Sequence, residues 1–298
     1  MVNAMNLPEA WTDEYFVSKY RTVYTNQELH IPGLRMFGKH TMTQACAPLA
    51  PHFHKDAYEF TFVTEGTIHF TVDQKDYELS GYDIFITRPD EVHSTNLIPL
   101  STGEIYWFQL DVSDVSHLLF LDEDAGRNLT EGLSRLPHHT FRPGNSKLLQ
   151  HVRRAFELAG DSPHRYFTAS CLLYALHEIM AMSDNDRLLT PDIEKAIFYM
   201  KEHLRSELSL EELADTCGLS LSQFKQKFKA QTGISPRHYI NYQKIQLSKR
   251  LLLEEKSITD IAMELGFCNS SYFTAVFRRF NACTPSEYQR QKRDLVDQ

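Results

Sequence analysis

Three histidines and a glutamate are the residues of this 298-residue chain whose types and spacing could hold a ligand: His52, His54, Glu59 and His93. His52 and His54 stand two apart, so on a strand both leave the same face, and Glu59 and His93 arrive from neighbouring strands. Three neutral imidazoles and a carboxylate suit a divalent transition metal. The same groups could instead hydrogen-bond an organic effector or the fold itself, and His93 alone could be satisfied by a backbone carbonyl. Around them lie Tyr58, Phe60, Phe62, His69, Phe70, Tyr106, Trp107 and Gln109. Aromatic faces with polar tips match the C–H patches and hydroxyl rim of a sugar. Strand alternation turns only about half of these inward. Tyr58 and Trp107 join His52, His54, Glu59 and His93 as the expected effector-binding set, and the latter four are also the candidate metal ligands. No cofactor is otherwise required.

A second chemistry is written twice near the C-terminus. Leu213-Ala214-x-x-x-Gly218-Leu219, then Phe224, Phe228-Lys229, Pro236 and Tyr239 recur as Ile261-Ala262-x-x-x-Gly266-Phe267, then Phe273, Phe277-Arg278, Pro285 and Tyr288. Each copy reads as a helix-turn-helix: a small Ala where helices cross, a Gly to end the first helix in the left-handed region, and a polar N-cap to open the second. Ser220 opens the second helix of the first copy, leaving Ser222, Gln223, Lys225, Gln226 and Lys229 outward. Gln suits adenine, and Lys suits guanine or phosphate. The other copy opens near Asn269 and exposes Ser270, Ser271, Thr274, Arg278 and Arg279, a set poorer in base-reading groups. Double-stranded DNA is the expected partner. Phe224, Phe228, Phe273 and Phe277 are expected in the core.

The elements that position these residues follow from periodicity. Glu59–Val63, Thr67–Val72, Asp83–Ile86 and Glu104–Asp111 read as strands separated by Gly66 and Gly81, which suggests a small barrel or sandwich. Helical period begins after Ser146, a candidate cap for Leu148, Leu149, Val152, Ala155 and Phe156, and resumes over 166–182. The polar stretch 182–191 marks a boundary. Thr190 and Pro191 then open a helix, and Ser209 with Glu212 forms a capping box. Residues 236–253 carry no Gly or Pro after the first, giving one long helix of about 27 Å, close to the roughly 34 Å between successive major-groove faces.

Charge is divided in the same way. Residues 1–189 hold 15 basic and 25 acidic side chains, a net of −10, whereas 218–293 hold 13 and 5, a net of +8. The positive charge sits on the repeat. Five scattered cysteines without a C-x-x-C pair suit free thiols in the cytoplasm. No apolar run is long enough for a membrane span, and no membrane partner is expected.

Gly266-Phe267, Ser271-Tyr272-Phe273, Phe277-Arg278 and Thr284-Pro285-Ser286-x-Tyr288 resemble the C-terminal signature of AraC/XylS-type transcriptional regulators. Asn281-Ala282 departs from the Phe-Gly pair often found there, and Asn281 is expected to tolerate the left-handed turn. His52-x-His54-x4-Glu59-x6-Gly66, followed by Gly81, Pro89 and His93, is similar to the two cupin motifs. The His-x-His-x4-Glu arrangement also resembles that of AraC-type regulators of chitobiose operons. Together these resemblances imply an α+β chain. Residues 1–186 would form a cupin-like effector-binding and dimerisation barrel with flanking helices, and 187–298 an all-α domain of two helix-turn-helix units joined by a long helix. Expected partners are a carbohydrate effector, a second copy of the chain and RNA polymerase. Metal-dependent cupin enzyme and metal sensor are the competing readings.

Overall fold

A computed structural model of the chain describes residues 8–143, 146–182, 189–254 and 256–296. The chain divides into two compact units, one of residues 1–42, 48–98 and 103–188, the other of 43–47, 99–102 and 189–298. The boundary expected between residues 186 and 187 lies outside the described residues. Among the described residues no helix is long and apolar enough to cross a membrane.

The first unit is a curled sheet under helices. Its strands are β1 (Glu9–Ala10), β2 (Phe16–Val17), β3 (Arg21–Thr25), β4 (Leu34–Met42), β5 (His52–Phe53), β6 (Ala57–Val72), β7 (Lys75–Ser80), β8 (Ile84–Thr87), β9 (His93–Ser94), β10 (Gly103–Asp111) and β11 (Thr140–Phe141). Strand β6 organises them. Its first half pairs with β8 and β10, and its second half with β7 and β9. Two strands with a turn at Gly66 are therefore replaced by one 16-residue strand that passes through Gly66 at φ 94°. The register against β10 shifts at Glu104/Ile105, and a Cβ on Gly103 would lie 2.2 Å from the Glu65 carbonyl oxygen. Glycine inside a strand marks a bulge as readily as a turn, and a bulge bends the strand. That bend closes the curl.

Helices α1 (Asn26–Leu29), α2 (Glu123–Ser134), α3 (Lys147–Ala159) and α4 (Arg165–Ala181) complete the unit. Tyr58, Phe60 and Phe62 of β6, with Tyr106, Phe108 and Leu110 of β10, share one core with Leu148, Val152 and Phe156 of α3 and Leu172, Leu176 and Ile179 of α4. Ser146 occupies the N-cap of α3, but its side chain makes no capping bond. Helix α2 was not expected. Its signal is Asp122, which accepts the Ala125 N–H, followed by acidic Glu123 and Asp124 and buried Leu129 and Leu133.

The second unit is helical: α5 (Pro191–Glu202), α6 (Leu210–Thr216), α7 (Leu221–Thr232), α8 (Pro236–Leu253), α9 (Ile258–Glu264), α10 (Ser270–Asn281) and α11 (Pro285–Val296). Each repeat owns a core. Phe224 and Phe228 pack with Ile193, Met200, Leu213 and Ala214, while Phe273 and Phe277 pack with Ile261, Ala262 and Ile245. Helix α8 serves both, giving Ile240 to the first core and Ile245, Leu251 and Leu252 to the second. Thr190 caps the chain into Pro191 by backbone geometry alone, its hydroxyl being paired with Gln231. Ser209 accepts the Glu212 N–H, but its hydroxyl bonds Glu211, so only half of the expected box forms.

Gly218 (φ 67°) and Gly266 (φ 62°) end α6 and α9 in the left-handed region. At the end of α10 the expectation for Asn281 is corrected. Asn281 stays helical and buried, its Nδ2 donating to the Phe277 carbonyl at 3.1 Å, and Ala282 turns left-handed at φ 56°. In the first repeat the matching residue is Gly233, at φ 73°. A Cβ in this region costs roughly 1–2 kcal/mol, partly offset by the freer unfolded chain that glycine brings. Ala282→Gly is therefore expected to raise stability by about 0.5–1 kcal/mol, read as a higher urea midpoint by circular dichroism. An unchanged or lower midpoint would contradict the assignment.

Candidate functional site

Register fixes what lines the concave face of the first unit. Glu59 of β6 faces Thr87 of β8 and Gln109 of β10, and one row on, Thr61 faces Phe85 and Trp107. These are the alternates of the residues packed beneath the helices, so they leave the opposite face. Tyr58 is not brought to the site: it packs with the core on the helix side, one residue out of phase with Glu59. Trp107 is on the Glu59 face, lying over Gly38, where a Cβ would come within 2.4 Å of the indole.

His52, His54 and His93 converge beside Glu59, all buried, with ligand atoms within 4.8 Å of one another. Strand β5 delivers the first, β9 pairs His93 directly opposite His52, and His54 follows immediately. Each ring lays its Nδ1 against a backbone carbonyl: Ala50 for His52 (2.7 Å), Trp11 for His54 (3.1 Å) and Glu91 for His93 (3.1 Å). Carbonyls only accept, so each Nδ1 carries the hydrogen; a neutral ring then turns an Nε2 lone pair inward, and His54, paired with Glu59, does so once its Nε2 proton leaves. His54 Nε2 lies 3.0 Å from Glu59 Oε2, and His93 Nε2 lies 3.6 Å from Glu59 Oε1, beyond hydrogen-bond reach. Gln109 Nε2 donates to Glu59 Oε2 at 3.2 Å.

The electrostatics belong to a paired cluster. Burial, reinforced by the neighbouring His93, pushes His52 down to about 4. Burial opposes charge on His54 and Glu59 as well, but their mutual attraction outweighs it, raising His54 and holding Glu59 well below the usual carboxylate range. His93 Nε2, Thr87 Oγ1 and Gln109 Oε1 are buried without a hydrogen-bond partner. Such groups are costly unless something else satisfies them. The three histidines form a donor set that fits a divalent transition metal, and Glu59, the expected fourth ligand, stands beside it paired with His54. When bound, that metal would supply a Lewis-acidic centre for an oxygen donor. Gln109, Thr87 and His93 Nε2 turn toward the same space. Gln109 is the site residue that spacing understated; lying two residues after Trp107, it had to share its face.

In the second unit the outward faces of α7 and α10 are formed as expected. Ser222, Gln223, Lys225, Gln226 and Lys229 are exposed, as are Asn269, Ser271, Arg278 and Arg279, while Ser270 and Thr274 are half-buried. Two carry local duties. Gln223 Oε1 accepts from the Ser220 N–H and hydroxyl in a capping box, and Asn269 Oδ1 accepts the Tyr272 N–H at 2.7 Å. Asn269 Nδ2 also donates to Cys268 Sγ at 3.6 Å, so both amides are partly engaged within the unit. Tyr272, 45% exposed on the first turn of α10, joins this surface and was missed.

The turn after α5 ties the two repeats together. A Cβ on Gly266 would fall 2.5–2.7 Å from the Ser206 and Glu207 backbone. Buried Lys244 of α8 donates to the Ser206 carbonyl at 2.9 Å and lies 5.5 Å from the Phe267 ring centre, and Arg205 pairs with Glu264. Burial, with the charge of Arg237, pushes Lys244 from 10.5 to about 8. Between those values the unfolded chain binds more protons than the folded one, so stability rises with pH, by up to about 3 kcal/mol across the window. Lys244→Met should abolish that rise in pH-dependent urea unfolding; an identical slope would contradict it.

Comparison with known proteins agrees with this geometry. Residues 43–108 match the model of the cupin domain and 213–291 that of a helix-turn-helix domain. The HTH-type transcriptional regulator ExsA of Pseudomonas aeruginosa is 38% identical over 114 residues, covering 38% of this chain and 41% of that protein. The HTH-type transcriptional activator RhaS of Enterobacter sp. (strain 638) is 27% identical over 266 residues, covering 82% of this chain and 88% of RhaS. Among solved structures, the C-terminal domain of AraT, a response regulator from Geobacillus stearothermophilus, is 28% identical, covering 35% of this chain and 87% of that one, with a TM-score of 0.34. The chain thus carries a cupin domain followed by a helix-turn-helix domain that spans both repeats, and in this arrangement it is similar to AraC-type transcriptional regulators.

Proposed function

We propose that residues 1–186 bind a small carbohydrate effector on the concave cupin face and that residues 187–298 read two adjacent major-groove segments, the chain working in the cytoplasm as a homodimer that engages RNA polymerase. The observation that carries the sensor half is the set of buried, unpartnered polar atoms, His93 Nε2, Thr87 Oγ1 and Gln109 Oε1, beside Trp107. Effector binding would shift a balance between arrangements with different DNA affinity. A thermal-shift screen of sugars and oligosaccharides tests it. A ligand at 100 times its dissociation constant adds about 2.7 kcal/mol, and a screen in which no sugar shifts melting contradicts the carbohydrate reading.

For the reading half, Gln226→Ala should relax base preference in one half of the bound site, whereas Lys229→Ala should weaken binding to all sequences alike and flatten the salt dependence. Selection from a random duplex pool separates the two. Unchanged preference for Gln226→Ala would remove that residue from the readout.

A metal sensor is the second reading, favoured by the three Nδ1–carbonyl anchors that aim three Nε2 atoms at one point. Titrating zinc against DNA affinity distinguishes it. A metal-dependent enzyme fused to a DNA-binding unit is contradicted if metal-free protein still binds its promoter with effector-dependent affinity.

A further inference from the structure

The chain lays one of its own carboxylates in the mouth of the cupin site. Residues 9–10 pair in parallel with β5, and the Trp11 N–H donates to the Phe53 carbonyl at 2.9 Å. This sets the Trp11 ring 5.5 Å from that of His52 and brings Asp13 to the site. The Asp13 side chain is only 9% exposed. Arg21 Nη2 donates to Asp13 Oδ1 at 3.0 Å, and the Trp107 and Trp11 side chains stand near the same carboxylate. The Arg21 guanidinium rests over the Trp107 ring, 5.6 Å from its centre. A guanidinium stacked on one indole, with a second indole nearby, suits a carboxylate, since these groups donate hydrogen bonds and accept none.

The receptor is not saturated, and its occupant is poorly placed. Arg21 Nε is buried without a partner, so the guanidinium does not make the two-pronged contact that a carboxylate permits. Burial, and then the nearby Glu59 charge, raise the Asp13 pKa despite Arg21. The β1 pairing that holds the segment spans two residues. On the Glu59 face, Thr87 Oγ1 and Gln109 Oε1, with His93 Nε2 nearby, are buried without a hydrogen-bond partner and suit hydroxyl groups.

We propose that Asp13 marks a carboxylate subsite and that the effector is an acidic sugar, its carboxylate taking the place of Asp13 on Arg21 and Trp107 and its hydroxyls meeting Gln109, Thr87 and the histidine cluster. This rests on the carbohydrate reading of the same face and narrows its ligand class. A neutral sugar would leave Asp13 in place and Arg21 Nε unmet.

The test uses the full chain, isothermal titration and four probes: D-galacturonate, D-glucuronate, D-galactose and D-glucose, each with and without added zinc. An acid should bind at least about tenfold more tightly than its neutral counterpart, the difference expected of hydrogen bonds to a charged group. Arg21→Gln should remove that preference. Asp13→Asn, which keeps the shape and removes the competing charge, should tighten the acid by several-fold; a merely structural Asp13 would leave affinity unchanged or weaken it. Neutral sugars binding as tightly as acids, or an acid preference that survives Arg21→Gln, would overturn the proposal while leaving a carbohydrate sensor intact. Failure of all four probes, with a neutral oligosaccharide shifting the melting temperature, would overturn it in the same way. Failure of every sugar would overturn both readings.

Discussion

Gly266→Ala is expected to cost the DNA-binding unit about 3 kcal/mol or more, against about 1 kcal/mol for Gly218→Ala. The two glycines hold matching positions in the repeat and similar backbone angles, φ 62° and 67°. Alanine at either pays the left-handed penalty of roughly 1–2 kcal/mol, reduced by the stiffer unfolded chain. Their surroundings differ. Nothing lies within 4 Å of a Cβ built on Gly218, whereas one on Gly266 meets the Ser206 and Glu207 backbone at 2.5–2.7 Å. A backbone cannot rotate aside as a side chain can, so overpacking adds roughly 1–3 kcal/mol. The obstructed turn is the one that Lys244 and Arg205 fasten. Gly266→Ala should therefore also loosen the second repeat from the first. DNA carrying both half-sites should lose more affinity than DNA carrying one. Equal destabilisation by the two substitutions, measured by urea unfolding, would contradict the packing argument.

The second large effect concerns metal affinity. The wild-type chain is expected to bind one divalent transition ion, and His54→Ala or Glu59→Gln to weaken it by more than about 100-fold. Loss of an outer partner alone typically costs 10–100-fold. Here the side chains lost are themselves prospective ligands. Binding should strengthen as pH rises, because His54 holds a proton more firmly than an ordinary histidine while paired with Glu59, and that proton must leave first. Competition against a chromophoric chelator measures both. Affinity unchanged by His54→Ala would remove the cluster as a metal centre.

Much of this was legible in the residues. The repeat located both helix-turn-helix units because glycine, phenylalanine and N-cap positions are set by local backbone demands, and the 18-residue α8 ran as its composition allowed. Likewise, the two-residue step suggested a shared face for His52 and His54, and the resemblance to the cupin motifs added Glu59 and His93; the structure brings the three histidines together. What escaped depended on contacts distant in sequence. Tyr58 and Glu59 are adjacent, and only the packing of α3 and α4 on one face decides which of them looks inward. Gly66 could be a turn or a bulge until pairing with β10 chose. Asn281 seemed the natural left-handed residue, yet its side chain is worth more bonded to Phe277 inside the helix, so Ala282 takes the strain. Trp11, Asp13 and Arg21 carry no motif at all. Their meaning comes from pairing that brings residues 9–13 to His52 and Trp107.

Occupancy of the cluster around His54 and His93 is expected to alter DNA binding by the repeat at 213–288. The direct measurement is the affinity of the full chain for a duplex selected by that chain from a random pool, followed by fluorescence anisotropy at one fixed salt concentration, since salt alone moves such affinities widely. Protein would be compared free of metal, with zinc, and with zinc plus D-galacturonate. Across these states the wild-type affinity should change by at least about fivefold, the low end of ordinary coupling between sites, and a His54→Ala/His93→Ala double variant should keep the metal-free affinity throughout. Identical wild-type affinity in all three states, or a response that survives the double variant, would contradict the account.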